Sequence, residues 1–204
     1  MSWDSVQQQG FRAVNELSAD TPVLHEPLRF FAEYGVVLFA GLLLLAWWVA
    51  RGRGTGAMAA ALWAPLGMLL AIAVNQPLGN AVHESRPYAL LPHALVLVPR
   101  SHDFSFPSDH AVMAGAVASG VWLVSRRLGL IALAAALLMA FARVYVGAHF
   151  PLDVVAGLLV GAAVTLLGHR LLAPVLQRLV VRLGHTRLRP LLLATATPAD
   201  PTRP

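Results

Sequence analysis

Residues 142–153 read A-R-V-Y-V-G-A-H-F-P-L-D, and this stretch decides the fold. It places Arg143, His149 and Asp153 at the junction between two long apolar runs. An ionisable residue inside a membrane or at its edge is energetically costly, so its presence there indicates a functional site. The sequence therefore predicts that the polar centre of the protein lies where one apolar run ends and the next begins.

Two other charged stretches also border apolar runs. They read H-E-S-R-P at 83–87 and F-P-S-D-H at 106–110. Polar residues scattered independently would not be expected to fall repeatedly at the ends of apolar runs. We therefore predict that these two stretches and residues 142–153 come together in the folded chain and form a functional site.

The composition is that of a protein that crosses a membrane several times. Hydrophobic residues make up 57% of the 204 residues and charged residues only 12%, with a mean hydropathy of +0.66; these values are typical of polytopic membrane proteins. The absence of cysteine excludes disulfide and thiolate chemistry. All fifteen basic residues are arginine. Because they lie mostly between and after apolar runs, the net charge of +5 indicates membrane topology and no nucleic-acid partner.

The apolar runs predict an all-α membrane helix bundle with about five spans. A spanning helix needs about 20 mostly apolar residues, and five stretches come close to that length: 34–50, 56–75, 108–125, 128–146 and 151–172. The connection 76–107 contains five prolines, which are expected to break it into short pieces. Gly157 and Gly161, four residues apart, predict close helix packing inside the bundle.

The two ends of the chain are predicted to lie outside the bilayer core. Residues 1–33 lack the apolar segment of a signal peptide and are typical of one or two amphipathic interfacial helices, with Trp3, Phe11, Phe30 and Phe31 as interfacial anchors. The transmembrane domain follows at 34–172. Residues 173–204 are predicted to form a basic cytoplasmic tail whose end, 195–204, is disordered.

The placement of the arginines predicts the orientation in the membrane. Arginines lie at 51 and 53 between the first two spans, at 126 and 127 between spans three and four, and again after span five. With five spans these segments share one side of the membrane, and the positive-inside rule makes that side cytoplasmic. The chain is then N-out and C-in, with the three charged stretches at the extracytoplasmic edge.

The residue types at that edge predict an anion site. Ser108 is a good N-cap for the helix that begins there. A helix start offers free N–H groups and a positive dipole end to a phosphate. Arg86 and Arg143 add two planar guanidinium groups suited to phosphate oxygens.

Two histidines at the same edge could supply the chemistry. Asp153 follows His149 by four residues and can accept a hydrogen bond from one imidazole nitrogen, leaving the other free as a nucleophile. With an ordinary pKa of about 6.5, His149 and His110 can also transfer protons near neutral pH. A metal site is the competing interpretation. Because adjacent arginines disfavour a bound dication, neither a metal nor another cofactor is expected.

The three stretches together resemble the signature of the type 2 phosphatidic acid phosphatase (PAP2) superfamily. That signature is a lysine, six residues and Arg-Pro; then Pro-Ser-Gly-His; then Ser-Arg, five residues, His, three residues and Asp. The matching stretches here are 86–87, 107–110 and 142–153, and the spacing within the third is fully kept. The Ser-Phe-Pro-Ser-Asp-His form looks like the undecaprenyl pyrophosphate phosphatase branch, the bacitracin-resistance type.

The resemblance implies a metal-independent lipid phosphatase of the bacterial plasma membrane that acts on a prenyl pyrophosphate at the outer face. His149 would attack phosphorus and form a phosphohistidine, oriented by Asp153. His110 would protonate the leaving oxygen and then activate water. The residues implied to hold the phosphoryl oxygens are Arg86, Arg143, Pro107, Ser108 and Asp109.

Three departures from the signature bear on the substrate. Gly79 stands at the lysine position, Asp109 replaces the glycine of the second motif, and Ala142 replaces the serine of the third. Side chains that could supply an accessory contact are Asn75, Asn80, His83 and Tyr88. The alternatives are a phosphatidic acid or phosphatidylglycerophosphate phosphatase, a lipid phosphotransferase, and a non-catalytic protein that binds anionic lipid. No particular oligomeric state is predicted.

Overall fold

The protein is all-α, as predicted. A computed structural model describes residues 3–194, with side chains from residue 5, and residues 3–194 contain no strand. The predicted disorder at 195–204 lies outside the described residues. A 3-10 turn, Pro22–Leu24, joins the first two helices. The helices are α1 Trp3–Asp20, α2 His25–Tyr34, α3 Val36–Ala50, α4 Thr55–Val82, α5 Pro87–Leu90, α6 Asp109–Val124, α7 Arg126–Tyr145, α8 Pro151–Leu183 and α9 Arg189–Leu192.

Helix α6 forms the centre of the bundle and is surrounded mainly by α4, α7 and α8. Its sequence is rich in alanine and glycine, and most of its side chains are buried. A Cβ added at Gly115 would lie 2.3 Å from the Leu158 carbonyl oxygen, and one added at Gly161 would lie 2.0 Å from the Val112 carbonyl oxygen. The backbones of α6 and α8 are therefore in contact, and the predicted packing of Gly157 and Gly161 inside the bundle is confirmed.

The apolar side chains divide into a packed interior and an exposed outer belt. Phe39, Met58, Val117 and Met139 come from four different helices and are fully buried together. Many leucines on α3, α7 and α8 are exposed instead. An exposed apolar surface of this extent indicates contact with lipid rather than water.

The structure gives fewer certain spans than the five predicted. Within residues 3–194, three helical stretches are long and apolar enough to cross a bilayer: Thr55–Leu90, Arg126–Tyr145 and Pro151–Leu183. Pro22–Tyr34 and Val36–Ala50 meet the same test only as a pair, bent by 56°. Helix α6 has 16 residues, or roughly 24 Å at 1.5 Å per residue. Because its neighbours surround α6, its length does not have to match the bilayer.

Two helices run further than the sequence predicted. Helix α4 continues to Val82 with Pro77 inside it, so the expected break after residue 75 is wrong. Helix α8 continues through Pro174 to Leu183, so the predicted boundary at 172 falls within a helix. In both cases apolar residues continue beyond the proline, and a membrane helix tolerates an interior proline because its surroundings satisfy the freed backbone groups.

The N-terminal helices pack on the protein at the end of the bundle where the charged stretches lie. Phe11 is 1% exposed, and its ring meets the Phe150 ring edge-on at 5.5 Å. Its predicted role as an interfacial anchor is therefore wrong. The Asn15 side chain donates to the Leu95 carbonyl oxygen at 2.8 Å and accepts from the Leu95 N–H at 2.9 Å. An amphipathic pattern alone does not distinguish a lipid from a protein partner, so the sequence could not reveal these contacts.

Candidate active site

The three charged stretches meet around one cavity of about 350 Å³. Four side chains that the sequence analysis singled out line it together: Arg86, His110, Arg143 and His149. They come from the start of α5, the start of α6, the end of α7 and the loop before α8. The three charged stretches thus converge at a pocket large enough for a small ligand group.

His149 is held in one orientation by backbone and side-chain contacts. Its Nδ1 donates to the Ser105 carbonyl oxygen at 2.8 Å, which leaves Nε2 without a proton. Nε2 lies 3.3 Å from Arg86 Nη1 in the cavity. Burial, followed by the positive charges of Arg143 and Arg86, lowers the pKa of His149 well below its ordinary value. The imidazole is therefore neutral near pH 7, with its lone pair facing the cavity.

Asp153 lies behind His149 and is fully buried. Its Oδ2 accepts hydrogen bonds from the Phe150 N–H at 2.8 Å and the Ser105 hydroxyl at 2.5 Å. The distance from this oxygen to His149 Nδ1 is 3.5 Å, longer than the 2.8 Å to the Ser105 carbonyl. Asp153 thus contacts His149 largely through Ser105, a residue that the sequence analysis missed.

Arg86 contacts both the loop between α7 and α8 and an acidic residue. Its Nη1 donates to the Ala148 carbonyl oxygen at 3.0 Å, and its Nη2 donates to Asp103 Oδ1 at 3.0 Å. Partial burial raises the pKa of Asp103, but the hydrogen bond from Ser101 and the charge of Arg86 outweigh it, so the pKa lies below its ordinary value. Asp103 was also missed, because nothing in the local sequence indicates that it reaches Arg86.

Arg143 is buried at the last turn of α7, with 8% of its surface exposed. Its Nη1 donates to the Ala32 carbonyl oxygen of α2 at 3.3 Å. Its Nε has no hydrogen-bond partner among the residues that the structure describes. Glu33, next to Ala32, lines the cavity as well. Helix α2 therefore forms part of the cavity wall.

The start of α6 borders the cavity. Ser108 occupies the N-cap position, as predicted, but its side chain makes no capping hydrogen bond. The Ser108 hydroxyl is buried, does not line the cavity, and has no partner among residues 3–194. The next two residues, Asp109 and His110, and the preceding Pro107 do line it. The uncapped first turn leaves N–H groups for an anion.

Of the four side chains named as possible accessory contacts, Tyr88, Asn80 and His83 lie in different places, and Asn75 is described further below. Tyr88 lines the cavity, and its hydroxyl donates to the Ser101 carbonyl oxygen at 2.9 Å. Asn80 lines a separate cavity of about 80 Å³. His83 lines neither cavity; its ring packs edge-on against Phe104 at 4.6 Å. Helix α4 runs on to Val82, and His83 follows it outside the lining of both cavities, so an accessory phosphate contact from His83 stays a prediction.

These contacts describe an anion site with a neutral imidazole at its wall. Two buried guanidinium groups and a free helix start attract phosphate. The unprotonated nitrogen of His149 and the nearby His110 provide a nucleophile and a group able to transfer a proton. The arrangement is suited to phosphoryl transfer.

Comparison with known proteins agrees with this geometry. Residues 60–175 match the PAP2 superfamily. The chain belongs to this family. It is 33% identical to undecaprenyl-diphosphatase BcrC of Bacillus subtilis (strain 168) over 177 residues, which are 85% of this chain and 89% of that protein. It is 29% identical to bacitracin transport permease protein BcrC of Bacillus licheniformis over 161 residues, which are 79% of this chain and 78% of that protein.

A solved PAP2-like fold matches as well. The crystal structure of Aquifex aeolicus LpxE superposes with a TM-score of 0.58 at 29% identity, covering 78% of this chain and 92% of that one. The chain is thus a PAP2 phosphatase and a multi-pass bacterial membrane protein. Helices α1 to α3 precede the residues that match the family, so Glu33, which lines the cavity, and the Ala32 carbonyl, which accepts from Arg143, both come from outside the matching region.

Proposed function

We propose that this PAP2 phosphatase hydrolyses a polyprenyl pyrophosphate, of the undecaprenyl type, to the monophosphate through a phosphohistidine. The observation that carries the reaction is the 3.3 Å distance between His149 Nε2 and Arg86 Nη1. A phosphoryl group bound by Arg86 would lie beside the unprotonated nitrogen. The substrate class is supported by the similarity to undecaprenyl-diphosphatase BcrC of Bacillus subtilis.

The proposed reaction has two steps. In the first, the negative charge of the bound pyrophosphate offsets Arg86 and Arg143 and allows His110 to be protonated. His149 Nε2 forms a bond to the terminal phosphorus while the bond from phosphorus to the bridging oxygen breaks, and the protonated His110 donates its proton to that oxygen. The lipid monophosphate leaves. In the second, water attacks the phosphohistidine and gives its proton to His110, the phosphorus–nitrogen bond breaks, and inorganic phosphate leaves. Both histidines return to their starting protonation states.

Arg86 and Arg143 would stabilise the charge that develops on the phosphoryl oxygens. Both guanidinium groups are largely buried, where fixed charges act more strongly than in water. Pro107 and the N–H groups of Asp109 and the following residues would complete the binding surface. Asp153 and Ser105 would keep the His149 ring in the reactive orientation. No metal is needed for any of these steps.

We further propose that the cavity faces the extracytoplasmic side. Helix α4 runs from the turn that carries Arg51 and Arg53 towards the cavity end of the bundle. Arg53 Nη1 donates to the Val124 carbonyl oxygen at 3.1 Å, so the arginines of the α3–α4 and α6–α7 turns gather at the end opposite the cavity. The positive-inside rule then supports a cytoplasmic position for that end.

The test is phosphate release by detergent-purified protein in EDTA, with undecaprenyl pyrophosphate and phosphatidic acid offered in parallel. We expect faster turnover of the pyrophosphate, and loss of activity in His149→Ala but not in His185→Ala, a matched change at an exposed histidine near the C-terminal end. Rapid quenching with base should trap labelled phosphate on wild-type protein, since phosphohistidine survives base and decays in acid.

Each other outcome has a definite meaning. Preference for phosphatidic acid would keep the reaction and reject the prenyl substrate. Transfer of the phosphoryl group to an added acceptor in place of phosphate release would indicate a phosphotransferase. Full activity of His149→Ala would reject the phosphohistidine, and binding of both lipids without turnover would reject the enzyme.

A further inference from the structure

Asn75 is a buried amide in the last third of α4. It is 3% exposed, and burying such a group without partners would be costly. Its Nδ2 donates to the Pro107 carbonyl oxygen at 3.0 Å and to Asp109 Oδ1 at 2.7 Å. The two acceptors lie on either side of Ser108. One side chain of α4 therefore bonds across the start of α6.

A second amide of α4, that of Gln76, also contacts Asp109, at longer distances but with both carboxylate oxygens. Gln76 Nε2 lies 3.3 Å from Asp109 Oδ1 and 3.4 Å from Oδ2. Asp109 lines both the main cavity and the cavity of about 80 Å³ beside it, which Gly79 also lines. The amides thus stabilise a carboxylate at the edge of the anion site, where it would otherwise be unfavourable next to phosphate.

The start of α6 is fixed from two sides. Helix α8 holds it through the Ser108 N–H, which donates to the Asp153 carbonyl oxygen at 3.1 Å. Helix α4 holds it through Asn75. The Ser108 side chain adds no capping bond. His110 is two residues further along and lines the main cavity, so its position depends on these two attachments.

We infer that Asn75 is a positioning residue, with Asp109 as its partner, that sets His110 at the distance needed for proton transfer to the leaving oxygen. The inference rests on the role proposed above for His110. Asn75 lines only the smaller cavity and acts through α6. Its loss should lower kcat and change KM little, because Arg86 and Arg143 keep their contacts.

The first variant is Asn75→Leu, which keeps the volume and removes both donors. We expect kcat on the lipid phosphate that wild type cleaves best to fall roughly 10- to 100-fold, the effect of a small misplacement of a catalytic group, with KM nearly constant. Thr165→Val is the matched control, since it also removes a fully buried polar atom from the bundle but lies far along α8 from the site. It should keep wild-type kinetics.

A charge-swapped pair separates positioning from general stability. Asn75→Asp sets two carboxylates and a carbonyl against each other and should lower kcat at least as much as Asn75→Leu. Adding Asp109→Asn places an amide donor opposite the new carboxylate, so the double variant should recover about tenfold in kcat. No recovery, or a folded Asn75→Leu protein with wild-type kcat, would overturn the inference.

If the Asn75 variants do not fold, Asp109→Ala provides the test, because Asp109 is exposed and its loss should leave the fold intact. We expect a lower kcat at unchanged melting temperature, and wild-type kcat would reject the pairing. His149→Ala in the same assay separates a failure of the proposed reaction from a failure of the positioning role of Asn75. Activity in His149→Ala rejects the proposed reaction, whereas an inactive His149→Ala beside a fully active Asn75→Leu rejects only the positioning role.

Discussion

Replacing Ser105 by alanine removes one hydroxyl group from the most buried part of the site. That hydroxyl donates to Asp153 Oδ2 at 2.5 Å. Without it, this oxygen keeps the Phe150 N–H, while Asp153 Oδ1 has no partner among the described residues even in wild type. A hydrogen bond to a charged group contributes about 1.5–3 kcal/mol. If that contribution is lost in the transition state, kcat falls roughly 10- to 150-fold.

The assay is steady-state phosphate release from the lipid substrate by detergent-purified, monodisperse protein. KM should stay close to wild type, because Ser105 does not line the cavity. Ser125→Ala is the matched control: Ser125 is buried too, but it precedes α7 at the opposite end of the bundle. A folded Ser105→Ala protein with wild-type kcat would show that the link between Asp153 and His149 does not pass through Ser105.

Three further predictions address the anion site, the nucleophile and the packing. Asp103→Asn removes the carboxylate that competes with phosphate for Arg86. Because Asp103 is exposed, the effect should be small, and inorganic phosphate should inhibit up to about fivefold more strongly. An unchanged inhibition constant would show that Asp103 and phosphate do not compete. Burial and two guanidinium charges lower the pKa of His149 well below 6.5, and the nucleophile reacts unprotonated. The acidic limb of the kcat/KM profile should therefore lie below pH 6.5. A limb above that value would be inconsistent with a neutral His149 nucleophile. Gly161→Ala places a Cβ 2.0 Å from a backbone carbonyl oxygen of α6. It should destabilise the fold by about 3 kcal/mol, measured as a lower melting temperature. Gly41→Ala is the control: its Cβ meets nothing within 4 Å, so this variant should melt like wild type.

The helical class and the meeting of the charged stretches could be predicted because bilayer physics leaves few options. A long apolar run must satisfy its backbone internally, so it forms a helix. Costly charged residues at the ends of such helices collect where they can solvate one another or a ligand. Arg86 and His149 are 63 residues apart in the chain yet lie in contact. The number of spans was harder to predict, since hydropathy does not show that α6 is surrounded by protein.

Two of the missed residues, Asp103 and Ser105, depend on the path of the loop between α5 and α6. Ser105 acts through its carbonyl and hydroxyl groups, and Asp103 acts through its carboxylate. The directions of these groups are set by contacts with distant segments. The Ser105 N–H, for example, donates to the Glu84 carbonyl oxygen at 2.8 Å. Glu33 reaches the cavity only because α2 packs against α7. No local spacing rule carries this information, and only the position of Ser105 next to the second motif offered a signal.

The backbone contact between α6 and α8 has a consequence for how the enzyme moves. Two helices that meet through glycine have no side chains between them to repack, so they cannot slide or tilt independently. They carry His110 and Asp153 as one rigid frame. The N-terminal helices are attached differently, through side chains: the Phe11 ring packs on Phe150, and there are hydrogen bonds such as that between Thr21 and Tyr145. We therefore expect a lipid headgroup to reach the cavity by displacing these outer helices while the reacting groups stay in place.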